Sequence, residues 1–140
     1  MLQPFAGRQA DFPLIYLGLP LTIGRLRMVH LQPLLDKARA KLAGWQGQLL
    51  NIAGRKELVK TVLSSLPTYL LTILKPPKQF IKDLDKMRRR FLWVGSQELH
   101  GGKCKLSWLR VTRPVKYGGM GIHNLEKFGR ALRLRWLWND

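Results

Sequence analysis

Residues 77–93 read PKQFIKDLDKMRRRFLW, and the fold class turns on them. Phe80, Leu84, Met87 and Phe91 recur at three- and four-residue steps, which brings them to one side of a helix at about 100° per residue. Pro77, directly after Lys75-Pro76, suits a first turn, where a missing N–H leaves no bond unmade. Opposite the apolar side stand Lys78, Lys82, Lys86 and Arg89, with Arg90 beside them. At ~1.5 Å of rise per residue this stripe is about 16 Å long, enough to follow several successive phosphates. Asp83 and Asp85 flank it within helical reach of Lys86 and Arg89, a pairing that blunts it modestly. The bland reading of such a face is plain solvation.

Upstream, Leu31, Leu34, Leu35, Ala38, Leu42 and Trp45 keep helical spacing; Pro33 is placed in the first turn, and Gly44 and Gly47 close the helix. Asn51 is positioned to cap a second helix whose apolar stripe is Leu58, Val59, Val62, Leu63 and Leu66, up to Pro67. Tyr69–Leu74 is a short buried segment of open type. Pro13–Thr22, PLIYLGLPLT, suits a short strand or extended lead-in. Downstream, 95–103 reads as a glycine-rich loop and 105–111 as a strand or one helical turn around Trp108. The Gly118, Gly119, Gly121 cluster marks a bend before a last helix over 124–138. The expected class is mainly α: three to four helices around one core, with minor short strands. Its expected parts are an extended lead-in over 1–30, a helical core over 31–94, a connector over 95–123 and a C-terminal helix over 124–140.

Charge is the extreme property. In 140 residues, 46% of them hydrophobic, 25 Lys and Arg stand against 8 Asp and Glu, for a formal +17. A core is affordable in composition, and so large a basic excess calls for an anionic partner. A polyphosphate is the natural one, because each neutralised phosphate releases a counterion. The expected partners are RNA, DNA or an RNA–DNA hybrid, and the excess shifts the reading of the stripe toward them. The membrane alternative is weaker: the longest apolar run, Tyr69–Leu74, is far short of the ~20 residues of a spanning helix. Met1–Ala10 lacks the pattern of a secretory signal, so an intracellular location is the default.

Further cations are candidates for the same surface. Arg55 falls among Leu58, Val59 and Val62, where a cation needs a partner: a carboxylate such as Asp36, backbone carbonyls at a loop, or a phosphate at the helix start. Arg130 and Arg133 share the polar sector of the last helix with Glu126, and a solvated ridge is an equal reading for them. Ala131, Leu134, Leu137 and Trp138 make that helix apolar on much of its other side. More polypeptide or another chain covering Trp136 and Trp138 is therefore expected.

Chemistry finds little support. Two-metal polymerisation needs convergent carboxylates, yet Asp83 and Asp85 project ~200° apart on a helix. His100, Cys104 and His123 lack the paired spacing of structural zinc. A lone cysteine in a glycine-rich loop is a poor nucleophile candidate, and the glycine cluster matches neither the dinucleotide fingerprint nor the P-loop. No catalytic residue, metal or cofactor is expected.

The order FPLIYLGLPL at 12–21, LAGWQGQLLNIAGRKELVKTVLSSLPTYLL at 42–71, RRRFLWVG at 88–95 and W-x5-P-x3-GGMGI over 108–122 resembles plant LINE-type (non-LTR) retrotransposon reverse transcriptases downstream of their catalytic palm. The resemblance implies a thumb-like and connecting segment, placed before a zinc-binding module, that holds primer and template during target-primed insertion in the nucleus. The family's catalytic Asp-Asp motif has no counterpart from Phe12 onward, which implies no polymerase activity for this chain alone. Asn51 stands where the family usually has Ser, and Gly129 where Asn is usual. A reading of another class is a truncated retroelement relic with no retained biochemical activity.

Overall fold

The computed structural model describes residues 11–12, 14–17, 19–45, 47–95 and 106–138. A hairpin comes first: β1 (Leu14–Tyr16) pairs antiparallel with β2 (Leu19–Leu21), Leu14 opposite Leu21 and Tyr16 opposite Leu19. The helices are α1 (Met28–Gly44), α2 (Ile52–Leu58), α3 (Thr68–Ile73), α4 (Lys78–Val94), α5 (Trp108–Val111) and α6 (Leu125–Trp138). The fold is mainly α, as expected. Its helix number exceeds the expected three to four because Tyr69–Leu74 and the turn at Trp108 are helical. The expected loop at 95–103, with His100 and Cys104, lies outside the described residues beyond Gly95, as do 1–10 of the lead-in and the side chain of Trp136.

α4 is the central element. Phe80, Leu84, Met87, Phe91 and Leu92 bury one face against Leu31, Leu35, Ala38 and Leu42 of α1 and against Val59 and Leu63. Each such side chain contributes ~1.5–3 kcal/mol by leaving water. Trp45, the residue after α1, sets its ring 5.2 Å from that of Phe91. α1 begins at Met28, earlier than its apolar spacing suggests. The His30 imidazole accepts a hydrogen bond from the Arg27 N–H (3.1 Å), which caps the extra turn and leaves Pro33 in the second turn instead of the first.

Asn51 caps α2 as expected, its side-chain oxygen accepting from the Gly54 N–H at 2.9 Å. After Leu58 the helix widens into a π turn over Val59–Leu63. Its ring closes five residues apart, with the Ser64 N–H donating to the Val59 carbonyl at 3.0 Å. Ser64 thereby stacks over Val59 on the buried side, where its hydroxyl also donates to that carbonyl (2.8 Å).

The segment 108–122 folds back on its own backbone. Met120 N–H donates to Val111 carbonyl, Gly121 N–H to Arg113 carbonyl and Gly119 N–H to Pro114 carbonyl, all at 3.1 Å. Glycine is required where these strands of chain touch: a Cβ on Gly119 would overlap the Arg113 carbonyl, and Gly121 has φ +72°. Asn124 then caps α6 through the Lys127 N–H (3.1 Å).

Gly47 is another close approach, between the loop after α1 and the end of α4. A Cβ there would stand 2.5 Å from a Phe91 ring carbon and about as close to the Gly95 carbonyl. Gly47→Ala is expected to lower stability by about 1–3 kcal/mol through overpacking, read as a reduced urea midpoint with unchanged m-value.

Candidate nucleic-acid interface

The α4 stripe lies as the periodicity predicts. Lys78, Lys82 and Lys86 are exposed, Arg89 is half-buried in line with them, and all four lie opposite Phe80 and Leu84. Among the described residues none of the four has a carboxylate within ion-pair distance. The expected blunting by acidic neighbours is limited to the charge of Arg89 acting on Asp85, without an ion pair. Asp83 instead accepts from the Gln79 amide (2.8 Å), and Asp85 turns inward to Arg88 (2.8 Å). Arg90, beside the stripe, is half-buried and engaged.

The other sequence candidates divide. Lys78 shares a cleft of about 470 Å³ with Lys75, Glu126, Arg130 and Arg133, so the first turn of α4 and the side of α6 meet. Arg130 is exposed and 3.9 Å from Glu126, a pair worth little in water. Arg133 is half-buried and donates to the Leu71 carbonyl (3.1 Å), and more weakly to that of Leu74, at the end of α3. A cation at that end satisfies orphan carbonyls. Arg133 is thus a strut between helices; Gly129, buried on the same face, would set a Cβ 3.1 Å from Leu71.

Arg55 is held in a similar way. Its guanidinium donates to the carbonyls of Gly47 (2.9 Å) and Leu50 (3.1 Å) and reaches that of Leu92 (3.5 Å). The backbone alternative holds, and Asp36 pairs with Arg39 instead (3.0 Å). Arg55→Met is expected to cost about 1.5–3 kcal/mol, since charge-assisted bonds to half-buried carbonyls are lost while binding to nucleic acid at low salt is kept. Thermal unfolding and binding measured on the same sample check both halves.

Arg88 was not among the candidates, yet it is the most enclosed cation among the described residues. Its side chain is 0% exposed. Beyond Asp85 it donates to the Ser64 hydroxyl (2.9 Å) and the His123 carbonyl (2.7 Å), and its guanidinium carbon lies 5.3 Å from the Trp108 ring centroid. One side chain therefore joins α4, the π turn, α5 and the approach to α6, while its Nε stays unpartnered. Burial holds the Asp85 carboxyl above the usual carboxylate range, against the pull of Arg88 and a hydrogen bond from Trp108.

The outer side of α6 carries exposed apolar groups, with Leu134 at 47%, Leu137 at 72% and Trp138 at 87% exposure. Among the described residues no helix is long and apolar enough to cross a membrane, and no group of His, Cys, Asp and Glu is placed to hold a metal.

No protein-family profile matches the chain, and neither does any solved structure. Two longer proteins do resemble it. A protein of Arabidopsis thaliana named for ribonuclease H is 33% identical over 99 residues, which is 71% of this chain and 16% of that protein. The uncharacterized 149 kDa protein of transposon TX1 from Xenopus laevis is 27% identical over 106 residues, 71% of this chain and 8% of its own length. The chain thus spans a small part of each relative it matches.

Proposed function

We propose that the chain is a thumb-like segment of a LINE-type reverse transcriptase, downstream of the catalytic palm, that grips primer and template through their phosphates and does not itself polymerise. The observation that carries the reading is the line of Lys78, Lys82, Lys86 and Arg89 along one helix, none of them in an ion pair among the described residues. Such a line neutralises consecutive phosphates whatever the bases, which is what a polymerase needs from a part that slides. The likeness to a transposon protein and to one named for ribonuclease H supports nucleic acid as the partner. The family pattern quoted from the sequence supports the thumb assignment. Asp83 and Asp85 are each engaged by a neighbour on their own helix, an arrangement unsuited to a shared metal pair.

The test is titration of an RNA–DNA hybrid over a salt series, with primer extension by the purified chain in parallel. Affinity is expected to fall linearly on logarithmic axes as salt rises, with no extension at any salt. A flat salt dependence overturns the grip and leaves the relic reading standing; extension overturns the non-catalytic assignment.

A further inference from the structure

Away from the α4 stripe, the connector and the start of α6 enclose a cleft of about 820 Å³, within the ~300–1,000 Å³ range of small-ligand sites. Lys60 of the π turn, Arg113 of the connector and Lys127 of α6 line it, and no carboxylate does. His123 and Phe128 line it too, their rings stacked with centroids 4.6 Å apart and planes within 9°. Phe128 backs the imidazole, while His123 itself is exposed.

The cleft is held in shape by contacts already described. The backbone knot over 111–121 fixes Arg113, and buried Arg88 fixes the His123 carbonyl. Gly121 leaves the wall open where the Lys60 ammonium comes over it: a Cβ there would lie 3.1 Å from Val115 and 4.0 Å from that ammonium. Cations around a flat ring backed by a second ring are the combination that binds unpaired nucleotides. Stacking takes the base of any sequence, and the cations take its phosphates. A duplex keeps its bases inside and has nothing to offer the imidazole.

We propose that this cleft takes an unpaired nucleotide of a single strand, its base against His123 and its phosphates against Lys60, Arg113 and Lys127. The proposal rests on the reading of the chain as a nucleic-acid grip and adds a second element to it, a site for the strand where it leaves the duplex.

The probe is a short single-stranded DNA carrying a fluorescent purine analogue, titrated into the full chain beside the same sequence as RNA and as a duplex. Stacking is expected to quench the analogue in both single strands. His123→Ala is expected to lose the quench and about ten-fold in single-strand affinity, His123→Phe to keep both. Lys60→Glu with Arg113→Glu, two exposed positions, is expected to weaken single strand more than duplex. Unchanged single-strand affinity and quench in His123→Ala, or a free nucleoside monophosphate binding as tightly as the strand, overturns the proposal. The two failures separate: a wrong cleft leaves duplex binding sensitive to stripe variants, whereas a wrong stripe leaves duplex binding indifferent to them.

Discussion

Reversing Lys82, Lys86 and Arg89 to glutamate is expected to remove most of the salt dependence of hybrid binding. Each phosphate contact contributes about 0.9 to the slope of log affinity against log salt. Four contacts along α4 then cost on the order of a hundred-fold in affinity when salt rises four-fold, and one remaining contact costs only about four-fold. The triple variant should accordingly lose up to ~3 units of slope and bind weakly at low salt, while all sequences are affected alike. Reversal breaks no salt bridge among the described residues, and Lys82 and Lys86 are exposed, so those two changes should leave stability almost unaltered. Arg89 is half-buried and its charge opposes the rise of the Asp85 carboxyl, so a glutamate there is expected to lower stability. Binding and unfolding of the same preparation decide the matter. An unchanged slope in a folded triple variant rejects the stripe as the grip; loss of binding together with loss of fold would point to a packing role instead.

Arg55→Met makes a useful companion, because it separates charge from geometry. It removes one cation as the stripe variants do, but from a side chain held by the carbonyls of Gly47 and Leu50. Its slope should match the parent chain, and only its unfolding should shift.

How far the sequence reached depends on which kind of signal each element carries. α4 was legible because its apolar and basic residues occupy opposite sides of a regular helix, and angular arithmetic needs nothing else. Asn51 was legible as a cap for a similar local reason. The π turn was not: periodicity assumes a constant step, and the widened ring that carries Ser64 inward breaks that step without any change in residue type. The connector's close backbone passages announce themselves only as glycines, which mark that space is short but not what fills it. His123 and Phe128 come together across the start of α6, and cationic Lys60 arrives from another element, so no sequence window contains the cleft.

Arg88 is the instructive omission. The arithmetic that selected the stripe puts it about 40° from both Leu84 and Leu92, well inside the apolar sector. The signal was present, but Arg89 and Arg90 were taken into the basic surface and Arg88 was left without a role. A buried cation also runs against the strong preference of charge for water unless a partner is supplied. That partner, Asp85, is one turn away and was assigned to the stripe instead.

Replacing Arg88 by leucine is expected to cost about 3–5 kcal/mol, the scale for stripping one partner from a buried ion pair. For a chain of this size that lowers the melting temperature by roughly 10–17 °C. Three acceptors lose their donor together: the Asp85 carboxylate, the Ser64 hydroxyl and the His123 carbonyl. The pH dependence identifies which loss dominates. Burial already raises the Asp85 carboxyl, and Arg88 is the largest influence opposing it, so in the variant the carboxyl rises further. A carboxyl whose folded pKa exceeds its unfolded value favours the fold when protonated, and that contribution is lost as pH rises through the folded value. The deficit of Arg88→Leu should therefore be larger at neutral pH than in acid below the carboxylate range. Adding Asp85→Asn, which removes the stranded charge, should recover a good part of the loss at neutral pH and little in acid. Urea unfolding of the single and double variants at both pH values measures this. A deficit that is the same at both, and untouched by Asp85→Asn, would mean that Arg88 holds the fold through Ser64, His123 and Trp108 alone, with its carboxylate partner a bystander.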